Sequence, residues 1–159
     1  MAEYMGRAEA HTNGVTREYS VASGVTVTSG DFVILDANGR VNLPTTAGER
    51  LLGTVEGGDT QNLDRSYGLT AVGNAGGTVK VLVNIEKDAR YLQKANATIA
   101  AANVGDTLDV TAGTGTAQVI DVAKGSPTGQ LIVLERGEGL RGADATYAVV
   151  SIADNQRQT

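Results

Sequence analysis

Residues 78–85 read TVKVLVNI, and every second side chain is apolar: Val79, Val81, Val83 and Ile85 share one face, while Thr78, Lys80 and Asn84 take the other. Such alternation marks a half-buried β-strand, because successive side chains point to opposite sides of the pleat. Leu82 breaks the rule and implies that the second face is partly covered. Working outward, the stretch DFVILD at 31–36 is apolar on both faces, which predicts a strand buried between sheets or between subunits. Asn38-Gly39 follows it. That pair favours a type I′ hairpin, since both residues tolerate positive φ, so residues 32–35 are expected to pair with 40–43.

The same pattern, punctuated by glycine, recurs from Val21 to the end and places further strands at 25–28, 51–56, 67–72, 107–111, 117–123, 131–136 and 146–152. Short connections make them mostly antiparallel. The expected fold is therefore all-β, a small antiparallel β-barrel or β-sandwich. Residues 87–103 carry alanines at helical spacing, but Asn96, Thr98 and Asn103 favour turns, so a strand over 89–93 and one helical turn near 100–102 are expected. Gly-Asp recurs at Gly30-Asp31, Gly58-Asp59 and Gly105-Asp106; it reads as turn chemistry rather than as a repeat.

Residues 1–20 differ from the rest. Their apolar side chains are too sparse to bury a face and their charges are mixed in sign, so they read as an extended N-terminal arm, either floppy or ordered by a partner, ahead of a domain over 21–159.

Composition narrows the chemistry. In 159 residues there is no cysteine, which excludes disulfides, thiolate-held metals and cysteine nucleophiles, and the single histidine, His11, lies in the arm. The net charge of -5 and the scarcity of aromatics argue against a nucleic-acid groove. No stretch approaches the roughly 18–20 apolar residues that cross a bilayer, so no membrane partner is expected. Asp31, Asp36, Asp59, Asp64, Asp106 and Asp109 fall in or beside expected turns without calcium-loop spacing and read as turn formers, so no metal or cofactor is assigned. The glycine stretches 73–77 and 113–115 lack the Walker lysine, and no serine elbow is present. No catalytic residue is assigned and the chain is read as non-enzymatic.

Surface remains. A core with one Phe and no Trp is thin and gains from burial in an oligomer, for which Phe32 and Ile34 on the doubly apolar strand are candidates. Arg136 and Arg141, in LERGEGLR at 134–141, form either an ordinary polar loop or a protein–protein rim, where the planar guanidinium pairs well with carboxylates.

The segments GVTVTSGDFVIL (24–35), ERLLGTVEGG (49–58), GGTVKVLV (76–83), VGDTLDV (104–110), GQLIVLERG (129–137) and TYAVVSI (146–152) carry a further signal. In that order they resemble the tailed-phage head-decoration proteins, also called capsid-stabilising or cement proteins. The resemblance implies a virion protein made in the host cytoplasm and seated on the outer capsid surface. It implies a homo-oligomer, most commonly a trimer, whose partner is the major capsid protein and whose role is to hold neighbouring capsid subunits together. On that reading Tyr4, Met5, Arg7, Val15, Arg17 and Tyr19 anchor the arm to the shell. The alternative is a carbohydrate-binding or adhesive β-module of a phage tail or cell surface, which would need exposed aromatic platforms drawn from Tyr4, Tyr19, Tyr67, Tyr91, Tyr147 and Phe32.

Overall fold

Strands form where the sequence alternates. The computed structural model describes residues 2–7, 16–46, 48–57, 70–86, 88–125, 129–153 and 158. The strands are β1 (Glu3–Arg7), β2 (Thr16–Ser20), β3 (Thr26–Thr28), β4 (Phe32–Leu35), β5 (Val41–Asn42), β6 (Gly53–Gly57), β7 (Thr70–Val72), β8 (Lys80–Asn84), β9 (Ala89–Lys94), β10 (Thr107–Val110), β11 (Ile120–Gly125), β12 (Leu131–Arg136) and β13 (Tyr147–Ile152). The helical content of the described residues is three short 3-10 turns, one of them at Ala101–Asn103, beside the single turn expected there. The fold is all-β with antiparallel ladders, as the periodicity predicted.

A six-stranded sheet runs β1-β9-β13-β12-β10-β11, a five-stranded sheet runs β2-β8-β6-β4-β5, and β3 and β7 form a separate ribbon. Each large sheet curls until its far strand returns to its start. Val21, just after β2, bridges Val41 of β5, and Ala95, just after β9, bridges Ile120 of β11. These are single parallel bridges, so both sheets are barrel-like without being closed by a ladder.

The two sheets have the same topology. Replacing β2, β4, β5, β6 and β8 by β9, β10, β11, β12 and β13 turns one strand order into the other. Register is preserved as well: Thr54↔Asn84, Val55↔Val83 and Gly57↔Leu82 match Ile132↔Ser151, Val133↔Val150 and Glu135↔Val149, with a bulge at the same place in each ladder. The Gly-Asp corners also correspond. Gly30 N–H donates to Val55 O (2.7 Å) and Val55 N–H to Asp31 O (2.9 Å); Gly105 N–H donates to Val133 O (2.8 Å) and Val133 N–H to Asp106 O (2.9 Å). Two of the three Gly-Asp pairs thus mark equivalent corners of a structural repeat, and Gly58-Asp59 lies outside the described residues. The backbone bonds of the two corners are equivalent although the side chains around them differ.

Each half has its own apolar cluster. Val21, Val27, Val33, Val41, Leu52, Val55, Val81 and Val83 fill the first; Tyr91, Ile99, Leu108, Ile120, Leu131, Val133 and Val150 are among those filling the second. Strand β4 belongs to both. Val33 and Leu35 point into the first cluster, whereas Phe32 and Ile34 point into the second, so the doubly apolar stretch separates two cores of the same chain. The burial that the sequence offered to a neighbouring subunit at Phe32 is made internally: Phe32 has no exposed surface.

The segment read as an arm contributes a strand to each sheet. β1 pairs with β9 (Glu3↔Leu92, Tyr4↔Tyr91) and β2 pairs with β8 (Arg17↔Val83, Tyr19↔Val81), so for these stretches the pairing partner is the chain itself. Local bonding explains what composition could not: a strand needs only one apolar neighbour when the sheet edge supplies its hydrogen bonds. The hairpin after β4 also differs in type. Asp36 accepts from Gly39 N–H (3.0 Å) and donates its own N–H to Arg40 O (2.9 Å), and of the loop residues only Gly39 has positive φ (71°). This is a three-residue loop, a type I turn closed by a left-handed glycine, rather than the two-residue type I′ turn expected. Asp36 Oδ1 accepts from Asn38 and Arg40 N–H and thereby favours the longer loop.

One close approach gives a test of the first half. A methyl group on Gly53 would overlap the backbone carbonyl of Asn84 in the facing strand β8. Gly53→Ala is expected to cost about 2–3 kcal/mol, since backbone rather than a side-chain end must shift. Chemical denaturation of the purified variant measures it.

Candidate functional site

The buried polar groups converge on the seam between the halves, and the feature that builds the seam is a difference between the repeats. In the first half, Asp36 N–H to Arg40 O closes a short loop; at the equivalent place Thr111 N–H to Val119 O (2.8 Å) closes a longer one, residues 112–118. That longer loop reaches across to the corner before β4. Asp31, with no exposed surface, accepts from Gly115 N–H (2.6 Å), from Thr28 N–H (2.8 Å) and from the Thr114 hydroxyl.

Glutamine carboxamides complete the seam. Gln118 Oε1 accepts from Phe32 N–H (2.7 Å) and its Nε2 donates to Phe32 O (2.9 Å), so one side chain pairs with a strand residue as a peptide group would. Gln158 does the same at Leu35, at 2.6 and 3.2 Å. Gln130 accepts from Val110 N–H (3.0 Å) and donates to Glu49 O (2.7 Å), while Gln93 Nε2 donates to Gln118 O (2.8 Å). Asp109 Oδ1 accepts from Gly48 and Gln130 N–H, both at 3.2 Å. Buried amides and carboxylates here satisfy backbone groups that would otherwise be dry. Sequence reading missed these glutamines; the signal available was an uncharged polar residue set in or beside apolar runs, as in GQLIVL and AQVI.

The chemistry of this arrangement is cohesive. Among the described residues no group of three or more His, Cys, Asp or Glu could hold a metal ion. Asp59, Asp64, His11, Tyr67 and Val15 lie outside the described residues. Among the described residues Asp144, which is exposed, accepts from the Thr146 hydroxyl and then from Thr146 N–H, and these bonds hold its carboxyl below its ordinary value of 3.8. Its contribution to stability is present above the unfolded-state pKa and is lost as pH falls through the lower folded value. Thr146→Val removes the larger of the two bonds and is expected to move the Asp144 midpoint back up toward 3.8, read by NMR titration of the carboxyl carbon.

The residues expected to make external contacts are dispersed. Tyr4, Met5 and Arg7 lie in β1; Arg17 is the exposed residue of β2, and half-buried Tyr19 packs on the first cluster. Phe32 is inside the seam, its ring edge-on to Tyr91 at 5.2 Å, and Ile34 is half-buried against the second cluster. Arg136 is exposed and paired with Glu138 (2.6 Å), five residues before Arg141, which is also exposed and has a left-handed backbone (φ 50°) in the turn after β12. The structure therefore brings together Asp31, Phe32 and the glutamines, and it leaves Arg136 at the end of β12 and Arg141 in the turn that follows.

These features define a class, an all-β scaffold of two packed, barrel-like antiparallel sheets. No known family model matches the chain, and no curated protein matches it.

Proposed function

We propose that the chain is a non-enzymatic decoration protein of a tailed-phage head, bound to the outer capsid surface, where it stabilises contacts between major capsid protein subunits. The observation that carries this reading is the use made of the buried polar groups: Asp31, Asp109, Gln118 and Gln130 are turned to backbone groups across the seam, Asp109 to Gly48 N–H, which favours a rigid body whose exterior is its working part. The resemblance of the strand segments to head-decoration proteins gives that exterior its partner. A homotrimer suits the role because several weak contacts from one assembly must fail together before it detaches. The sugar-binding alternative has less support, since Phe32 and Tyr91 are buried and offer no stacking face.

The test is sedimentation of the full chain with purified heads that lack it, with light scattering for its oligomeric state. Saturable binding by a trimer, with a higher rupture temperature of the filled heads, is the expected result. A monomer that remains in the supernatant overturns the proposal. Removing residues 1–20 is not a clean probe of attachment, because it deletes β1 and β2 from their sheets.

A further inference from the structure

The repeat lets each half serve as the reference for the other. Gly105 N–H donates to Val133 O and Val133 N–H to Asp106 O, so residues 104–106 lie alongside 132–134, as residues 29–31 lie alongside 54–56 in the first half. Through these bonds and the matched ladders, Val104, Ile132 and Leu134 stand where the first half has Ser29, Thr54 and Glu56. The exchange runs against the ordinary rule for a surface. Thr54 is 2% exposed where Ile132 is half-buried, and Ser29 is half-buried where Val104 is 44% exposed. The second half is thus both more apolar and more open at a corner where the first half is polar. Ile132 and Leu134 join neither apolar cluster, and Ala100, Ala101 and Ala102, just ahead of Val104, are exposed as well. Single exposed apolar side chains are commonplace, whereas a contiguous group of them marks a contact.

We infer that this corner, centred on Val104 and Leu134, is the surface through which one copy of the chain meets another. Charge selects the occupant. Around the apolar centre Asp106, Glu135 and Glu138 carry one sign and Arg136 and Arg141 the other, and all of them are exposed. A partner surface of a single sign would be repelled by part of this rim. A second copy turned about a rotation axis instead sets the arginines of one chain toward the carboxylates of the other, where the planar guanidinium pairs well. Arg136 lies 2.6 Å from Glu138 within the chain, and an exposed pair of this kind is exchanged at little cost. The chain as a whole carries a charge of -5, so copies repel on average, and a corner of mixed sign relieves that repulsion. The first half is polar at the equivalent place, which leaves one such corner per chain, and contact of one patch with itself closes about an axis. That the assembly is a trimer on a phage head rests on the function proposed above; the position of the contact does not.

The experiment is sedimentation velocity of the full chain over a range of concentrations, with far-UV circular dichroism and thermal melting as the check on folding. The wild-type chain is expected to be oligomeric. Val104→Ser combined with Leu134→Glu gives the corner the residues its counterpart carries, and is expected to raise the dissociation constant about tenfold or more while keeping the strand spectrum and a cooperative melt. Val104→Glu, at an exposed position, is expected to give the same loss without altering a half-buried residue. Val72→Ser, at the other large apolar side chain exposed among the described residues, is expected to leave the assembly unchanged. A wild-type chain that is monomeric throughout, corner variants that assemble as wild type, or an equal loss in Val72→Ser overturns the inference. Adding purified heads separates the contact from the function proposed above. Oligomers that the corner variants split, with no wild-type binding to heads, uphold the contact and remove that function. Corner variants that keep the wild-type oligomer but lose the heads assign the corner to the capsid and overturn the contact.

Discussion

Phe32→Ala is expected to lower stability by about 3–5 kcal/mol, the range found when a large buried aromatic is truncated and its site cannot fully collapse. For a chain of this size that corresponds to a fall of roughly 10–15 °C in melting temperature. Three observations put Phe32 at the top of the scale. It is the only Phe in a chain without Trp, it has no exposed surface, and its ring meets Tyr91 edge-to-face at 5.2 Å and 79°. Although β4 belongs to the first sheet, the ring sits in the second cluster, so its loss loosens the seam as well as one core. Differential scanning calorimetry checks the magnitude. A fall of under about 1 kcal/mol would mean that the seam repacks around the cavity, contrary to the rigidity argued above.

The second large effect comes from removing a carboxamide. Gln118→Leu keeps nearly the same volume but leaves Phe32 N–H and Phe32 O without their partner in a buried place. Each unsatisfied buried backbone group costs about 1–3 kcal/mol, and the extra apolar area of leucine offsets only part of two such losses, so about 3–5 kcal/mol is expected by denaturant titration. Gln118→Glu distinguishes this cause from loss of packing. An ionised carboxylate accepts from Phe32 N–H but sets its second oxygen against Phe32 O; only the protonated acid can donate there. The stability deficit of Gln118→Glu should therefore shrink as pH falls through the glutamate range and grow as pH rises through it. A deficit independent of pH would contradict the two-way bond.

Much of the fold was legible because strand formation is dictated locally. Alternation at 78–85 is enough to orient one face inward, the apolar run at 131–134 marks another strand, and the structure has β8 and β12 there. The doubly apolar β4 was legible as a strand covered on both sides, but what covers it was not. Whether Phe32 meets a sheet of the same chain or of another is a question of distant contacts, and a single sequence carries no record of them. The hairpin after β4 was legible in position and misjudged in type, since the Asn38-Gly39 pair suits either turn and the choice fell to Asp36, whose carboxylate caps the longer loop. The repeat was hidden for a similar reason. Its common features are backbone bonds and a shared bulge, which many side chains satisfy, so Val83 and Val150 correspond while Asn84 and Ser151 do not resemble each other.

By itself, then, the sequence determined that this protein is all-β, built of short antiparallel strands around valine-rich cores, because side-chain alternation and glycine turns act over a few residues. Only the tertiary structure decided that there are two such cores, that β4 divides them, that four glutamines and two aspartates join or buttress them through backbone hydrogen bonds, and that β1 pairs with β9 while β2 pairs with β8. Those features depend on which distant groups meet once water is excluded, and a buried amide is distinguished from an exposed one by its surroundings alone.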